Sequence, residues 1–457
     1  MVCNPRTITK ILDEMAGNSI YFILVVLNEN LLISERFQIK DFSFNRIGNT
    51  FVNKWKDVHM RKVILLLLLI PLVSCQDVEK TNSSVKNVLL DINMDGELRL
   101  SEIADTVEVI LLEQTDDSDI ALVERFIPYK DRYYVMSSIG FSNGRVHVFD
   151  KDGNFIQKID KRGGGPGEYE DLQDIAINPR NDELVFMTQP KGIFRYDLEG
   201  NFISRVQGGY GMNVAADAQG NFYKTGRCYE ETPNRLLMVN ERDSISFGKV
   251  EADYFVMVNH FSFTNEFDSH DGRVYYSYPC CDTIFDVTSG KKTPVWYIDY
   301  NGKNLPIDKI FAKDKSMDES LKMNAKYPDC FRTDVFRIAD DFLYVGSVDG
   351  EKHGIVSLYS FKTGKVLSGH RFVDDMFFPD NKFTFRPLRM PIAVEGNSML
   401  WLVDPSWLLQ GYEYYKENLS PDNWNEYCKR HPQVTEVCSK LDEESNPVLL
   451  KIKLKDF

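Results

Sequence analysis

Asp91, Asn93 and Asp95, followed by Gly96 and then Glu102, have the order and spacing of a calcium loop. Hard oxygen ligands would occupy positions 1, 3 and 5, a glycine would make the bend, and a bidentate carboxylate would stand at position 12. The flanks argue the other way. Thr81 to Leu90 is short and polar for an entering helix, and Arg99 stands at the ninth position, where an oxygen or a water is usual. The alternative is a turn leading into a first strand, with Leu98, Leu100 and Ile103 packing beneath it. Calcium is therefore the only cofactor the sequence suggests, and the suggestion rests on Asp91, Asn93, Asp95 and Glu102 alone.

Three other groups of residues bear on chemistry. Gly163-Gly-Gly-Pro-Gly167 invites a phosphate-cradle interpretation, but Glu168 stands where a P-loop needs Lys followed by Ser or Thr. A glycine crossover needing positive φ is the simpler expectation; if it faces a ligand, Glu168 and Tyr169 are its useful side chains. Trp407, Tyr412 and Trp424 belong to an aromatic stretch that also holds Trp401, Tyr414, Tyr415 and Tyr427. Such rings suit a sugar-stacking platform. They equally suit the docking faces of short helices, for which Asp422 to Lys429 and Gln433 to Leu441 are the candidates. Neither a Gly-x-Ser-x-Gly elbow nor a His-Glu-x-x-His pair occurs, and the histidines are scattered, so no catalytic residue is assigned.

Export comes next. Met60-Arg-Lys precedes the apolar run Val63 to Val73, which contains Pro71 and ends at Leu72-Val-Ser-Cys75. Basic residues, a short apolar core and small residues make a secretory signal; the run falls well below the roughly 20 residues of a bilayer span. Leu-Val-Ser-Cys resembles the bacterial lipobox, which implies that Cys75 is acylated and anchors the protein. Residues 1–59 are expected to be an upstream extension outside the fold, residues 60–75 the signal peptide, and 76–97 a linker.

Beyond Cys75 the chain carries 45 basic and 62 acidic side chains, a net of −17. That balance disfavours phosphate backbones and argues against a nucleic-acid partner. It also disfavours an electrostatic grip on anionic lipid, which leaves the acyl anchor as the membrane contact. In an oxidising compartment Cys428 and Cys438 are the candidate disulfide, being close within one insertion.

The elements that must position these groups declare themselves by repetition. Phe149-Asp-Lys-Asp-Gly-Asn-Phe-Ile and Tyr196-Asp-Leu-Glu-Gly-Asn-Phe-Ile are near copies 47 residues apart, each a strand, a glycine turn and a strand. A period of 40 to 50 residues marks a β-propeller. A second signal, turn residues followed by a β-rich run, recurs at 131–135, 182–186, 220–223, 272–276, 341–345 and 396–403. Six occurrences predict six four-stranded antiparallel blades over 98–457, with a helical insertion in the last. Val107-Glu-Val-Ile-Leu-Leu112 and Pro447-Val-Leu-Leu-Lys-Ile-Lys-Leu454 would close the ring from both ends.

Lys161-Arg-Gly-Gly-Gly-Pro-Gly-Glu-Tyr-Glu-Asp-Leu172, followed by Ile175-Ala-Ile-Asn-Pro179, resembles the six-bladed propeller lipoproteins of bacteria, relatives of NHL-repeat and TolB-like propellers. The resemblance implies an exported all-β scaffold held in the outer membrane, in its periplasmic or its surface leaflet. Its ligand would sit at the mouth of the central channel, and a glycan, a peptide or an outer-membrane protein is the expected partner. The competing expectation is a metal-assisted lyase or hydrolase acting on carbohydrate or peptide in the same funnel.

Overall fold

The computed structural model describes residues 85–457, apart from 93–95, 140–141, 207–210, 226–233, 240–243, 250–265, 279–280, 289, 308–325, 351–353, 380–389 and 443. Six antiparallel four-stranded sheets surround a common axis. Blade one is built from Leu122–Tyr129, Arg132–Ile139, Ser142–Asp150 and Phe155–Ile159, and blade two from Asp171–Asn178, Glu183–Gln189, Gly192–Asp197 and Phe202–Val206. Blade three spans Val214–Ala216 to Ser244–Lys249, blade four Phe267–His270 to Thr293–Asp299, and blade five Phe331–Ile338 to Val366–Gly369. Each of the six turn–strand signals in the sequence is the second strand of a blade.

Blade six closes the ring. Its strands Ala393–Glu395, Ser398–Val403 and Val448–Leu454 come from the C-terminal part of the chain, while its outer strand, Ala104–Leu111, comes from before blade one. The first strands of the blades touch in cyclic order, one to six and back to one. Buried apolar side chains form six clusters, one at each junction between neighbouring blades. Tyr134, Met136 and Val146 of blade one, for example, meet Ile175, Phe186 and Tyr196 of blade two. No sheet could bury those faces alone, so circular closure is what makes the blades stable.

The repeated hairpin sequence has a local cause. At Asp150 one carboxylate oxygen accepts from the backbone N–H of Asp152 (3.0 Å) and of Asn154 (2.8 Å), and the other accepts from the Asn154 amide (2.8 Å). Asp197 does the same with Glu199 and Asn201, and Asp217 with Gln219 and Asn221. The glycine before each asparagine, Gly153, Gly200 or Gly220, has φ of +91°, +83° or +83°, conformations L-residues rarely adopt. Asp-x-x-Gly-Asn is thus a self-bonded turn that nature repeats because each element needs the others.

The stretch expected to be a linker contains more structure than that. Lys86–Leu89 pairs in parallel with Thr293–Asp299 as a fifth strand on blade four, and Glu97–Arg99 pairs in parallel with Arg371–Val373. One helical turn, α1 (Leu100–Ile103), then leads into blade six. The insertion in that blade holds α2 (Pro405–Asn418), α3 (Pro421–Arg430) and α4 (Pro432–Cys438). Asp404 caps α2 and Ser420 caps α3, each with proline in the first turn.

Candidate functional site: the charged channel

The first strand of each blade lines the axis, and three of these strands share an irregularity. Pairing register slips between Val123 and Arg125 in blade one, Leu172 and Asp174 in blade two, and Thr333 and Val335 in blade five. The extra residues are Glu124, Gln173 and Asp334, all polar. A β-bulge inserts one residue and re-aims its neighbours, and bulges concentrate beside functional sites.

Around these bulges the blades place opposite charges together. The Arg125 Nε lies 3.7 Å from Asp174 Oδ1, with side-chain exposures of 15 % and 5 %. Asp174 also accepts from Ile175 N (2.9 Å) and, across the junction, from Val214 N (2.8 Å). Asp268 of blade four accepts from Ile338 N of blade five at 2.6 Å, and Arg337 donates to the Phe336 carbonyl at 2.8 Å. Both carboxylates thus cap backbone N–H groups of the next blade.

Electrostatics tie the cluster together. Burial raises the Asp268 pKa, and the Arg337, Arg125 and His270 charges and its bond from Ile338 N oppose that rise. Burial likewise lowers Arg337, with Asp268 pulling the other way and Arg125 adding to the fall. Glu124 is exposed, yet partial desolvation raises its pKa, opposed by a bond from Ser138 and helped by the Asp174 and Asp171 charges. The arrangement brings two guanidiniums and several carboxylates within electrostatic reach of one another. It is suited to holding a polar ligand by paired hydrogen bonds. Among the described residues no three His, Cys, Asp or Glu side chains converge as a metal site.

The residues singled out in the sequence lie elsewhere. Tyr169 is fully buried, packed edge-on against Phe186 at 5.8 Å, and is core between blades one and two rather than a ligand-facing ring. Glu168 folds back on its own glycines and accepts from Gly165 N at 2.7 Å. A Cβ at Gly163 would meet that carboxylate at 2.1 Å. The loop is glycine-rich largely because its own glutamate occupies the space; Gly167 alone among these glycines has positive φ, +75°. In the insertion, Tyr412 and Trp424 meet at 5.2 Å, and Trp424 stacks on Tyr427 at 5.5 Å. Trp407 packs edge-on against Phe378. All three platform candidates are half-buried against the core of blades five and six, so docking the helices is their principal work.

Asp91 and Glu102 are exposed, the latter on α1, while Asn93 and Asp95 fall outside the described residues, as does Cys75. Cys428 and Cys438 carry free thiols, which corrects the expected disulfide. Cys438 is buried, and its Sγ faces the Leu408 carbonyl of α2 rather than a partner sulfur. Burial pushes that thiol up to about 12.

One buried titratable group gives a test of the fold. His147 of blade one is fully buried, with Nδ1 3.3 Å from Ser137 Oγ, and its Nε2 has no partner among the described residues. Burial, with Arg145 and Lys158 nearby, pulls its pKa down to about 4. The folded value lies below the unfolded one, so the folded state holds the neutral ring. Stability is complete above the unfolded value of about 6.5 and is lost as pH falls through 4. Relative to His147→Gln, the wild-type protein should lose about 3 kcal/mol between pH 7 and pH 4. Urea unfolding of both proteins at the two pH values measures the difference, and equal pH dependence would refute it.

The ring has a solved counterpart. A family model described as Domain of unknown function (DUF4934) matches residues 84–453. A crystal structure of a Bacteroides fragilis NCTC 9343 protein described as exported superimposes with a TM-score of 0.63 at 15 % identity, covering 81 % of this chain and 100 % of that one. BamB from Moraxella catarrhalis overlaps with a TM-score of 0.33 at 10 % identity, covering 57 % of this chain and 67 % of its own. No curated protein matches the chain in sequence.

Proposed function

We infer that this chain, which belongs to the DUF4934 family, is an exported binding scaffold that is tethered to the membrane by lipid on Cys75 and takes a polar ligand in its central channel. The observation carrying the ligand site is the set of coupled charges on the inner strands, Arg125 with Asp174 and Arg337 with Asp268, together with the bulge that these strands carry in blades one, two and five. Loops and side chains held by a rigid ring are the usual bearers of recognition. Export is supported by the signal-like run ending at Cys75 and by the description of the Bacteroides fragilis counterpart. No helix among the described residues is long and apolar enough to cross a membrane, so attachment in this reading falls to the acyl chains.

Two measurements test it. A screen of glycans and peptides against residues 76–457 should return a ligand whose affinity drops at least tenfold in Arg125→Lys and Arg337→Lys, which keep the buried positive charge but lose the planar fork, with the folded circular dichroism spectrum retained. A ligand indifferent to both substitutions would remove the channel as its site. Separately, Cys75→Ala should move the protein from the membrane to the soluble fraction of a bacterial host. Retention in the membrane would reject the anchor.

A further inference from the structure

On the far side of blade six from the axis lies a groove of about 840 Å³, within the range of about 300–1,000 Å³ typical of ligand sites. Its floor is the Glu108–Leu111 part of the outer strand Ala104–Leu111 and the Leu112–Gln114 segment that follows; among the described residues this strand pairs with Val448–Leu454 on one side only. One wall is α4 with the segment that follows it, and the other is the blade-one hairpin around Asp152 and Asn154. A Glu113 side-chain oxygen accepts from Phe155 N at 2.7 Å, and Glu113 N donates to the Gly153 carbonyl at 2.8 Å, so the hairpin wall is fixed to the strand.

The lining is strongly acidic. Glu108, Glu113, Asp152, Glu436, Asp442 and Glu444 face it, against Lys151 and Lys440. Both ammonium groups are already engaged, Lys151 with Glu395 and Lys440 with Glu436 at 2.8 Å. Glu108, Asp152 and Glu444 stand in no ion pair among the described residues and are left to draw in positive charge. Val109, Leu111 and Val437 supply apolar contact between the carboxylates.

We propose that this groove binds an extended cationic peptide, which adds as a further strand along the open edge of Ala104–Leu111. An unpaired strand edge is a ready template for main-chain hydrogen bonds. The flanking carboxylates select lysine or arginine at alternate positions of the incoming strand, because successive side chains of a strand point to opposite faces. The site is separate from the channel and does not depend on it.

The test uses fluorescence anisotropy of residues 76–457 with three labelled ten-residue peptides. One alternates Lys and Val, one alternates Glu and Val, and the third is the Lys–Val peptide with every backbone nitrogen methylated, so that neither edge can donate. The Lys–Val peptide should bind, the Glu–Val peptide should bind at least tenfold more weakly, and methylation should cost a similar factor. Glu108→Lys with Glu444→Lys, both at exposed positions, should reduce Lys–Val affinity at least tenfold while leaving the melting temperature and any channel ligand unaffected. Equal binding of the first two peptides, or no binding, would overturn the proposal. So would full binding of the methylated peptide, or a protein dimer abolished by the double substitution, which would give the edge to a second copy.

Discussion

The full chain lacking residues 448–457 should show no cooperative thermal transition by circular dichroism. Val448, Leu449, Leu450 and Ile452 are fully buried and Leu454 is 4 % exposed. Five such side chains contribute about 8–15 kcal/mol when buried, which is as large as the whole stability of an ordinary domain, about 5–15 kcal/mol. The loss also separates Ser398–Val403 from Ala104–Leu111, since Val448–Leu454 lies between them in the sheet. Two blade junctions would lose a wall, and the inner strands could no longer complete their circle. A sharp melt in the shortened protein would mean that five blades and a fragment suffice.

Arg195→Ala should destabilise the protein by about 3–5 kcal/mol, the cost of leaving a buried ion-pair partner alone. The guanidinium donates through Nε to Glu183 Oε2 at 2.9 Å and through Nη2 to Oε1 at 2.7 Å. Side-chain exposures are 11 % and 8 %. Asn178 also donates to Glu183 at 3.0 Å, but an amide does not cancel the charge. The double replacement Arg195→Met with Glu183→Leu should restore most of the loss, because two apolar side chains need no mutual compensation. Urea unfolding of the wild type and both variants decides the matter; a double variant as weak as the single one would show that shape, and not charge, governs this position.

The ring was legible in the sequence because its signals are local. Asp-x-x-Gly-Asn bonds to itself at Asp150 and Asp197, so the hairpins could be counted from composition and spacing alone. Closure by both ends was legible from two unassigned apolar strands, and the helical insertion from the blocks after Asp404. The channel was not. Asp174 becomes the partner of Arg125 only across the junction of blades one and two, beside bulges that no periodicity announces, and Arg337 feels the Asp268 charge through the junction between blades four and five. The one available hint was a polar residue interrupting a buried strand, as Asp174 does between Leu172 and Ile175. Tyr169 misled for the opposite reason: beside a glycine loop it looks exposed, yet its ring is needed between two blades. The added strand Lys86–Leu89 escaped notice because, at four residues, it carries no alternation long enough to read.

That added strand has a bearing on handling and processing. It covers the outer edge of Thr293–Asp299, which would otherwise offer a row of open amides and carbonyls to another molecule. Deleting Lys86–Leu90 would bare that edge and also take Val88 and Leu90, both fully buried, out of the cluster between blades four and five. The shortened protein would acquire an adhesive flank and a tendency to pair edge to edge with its own kind.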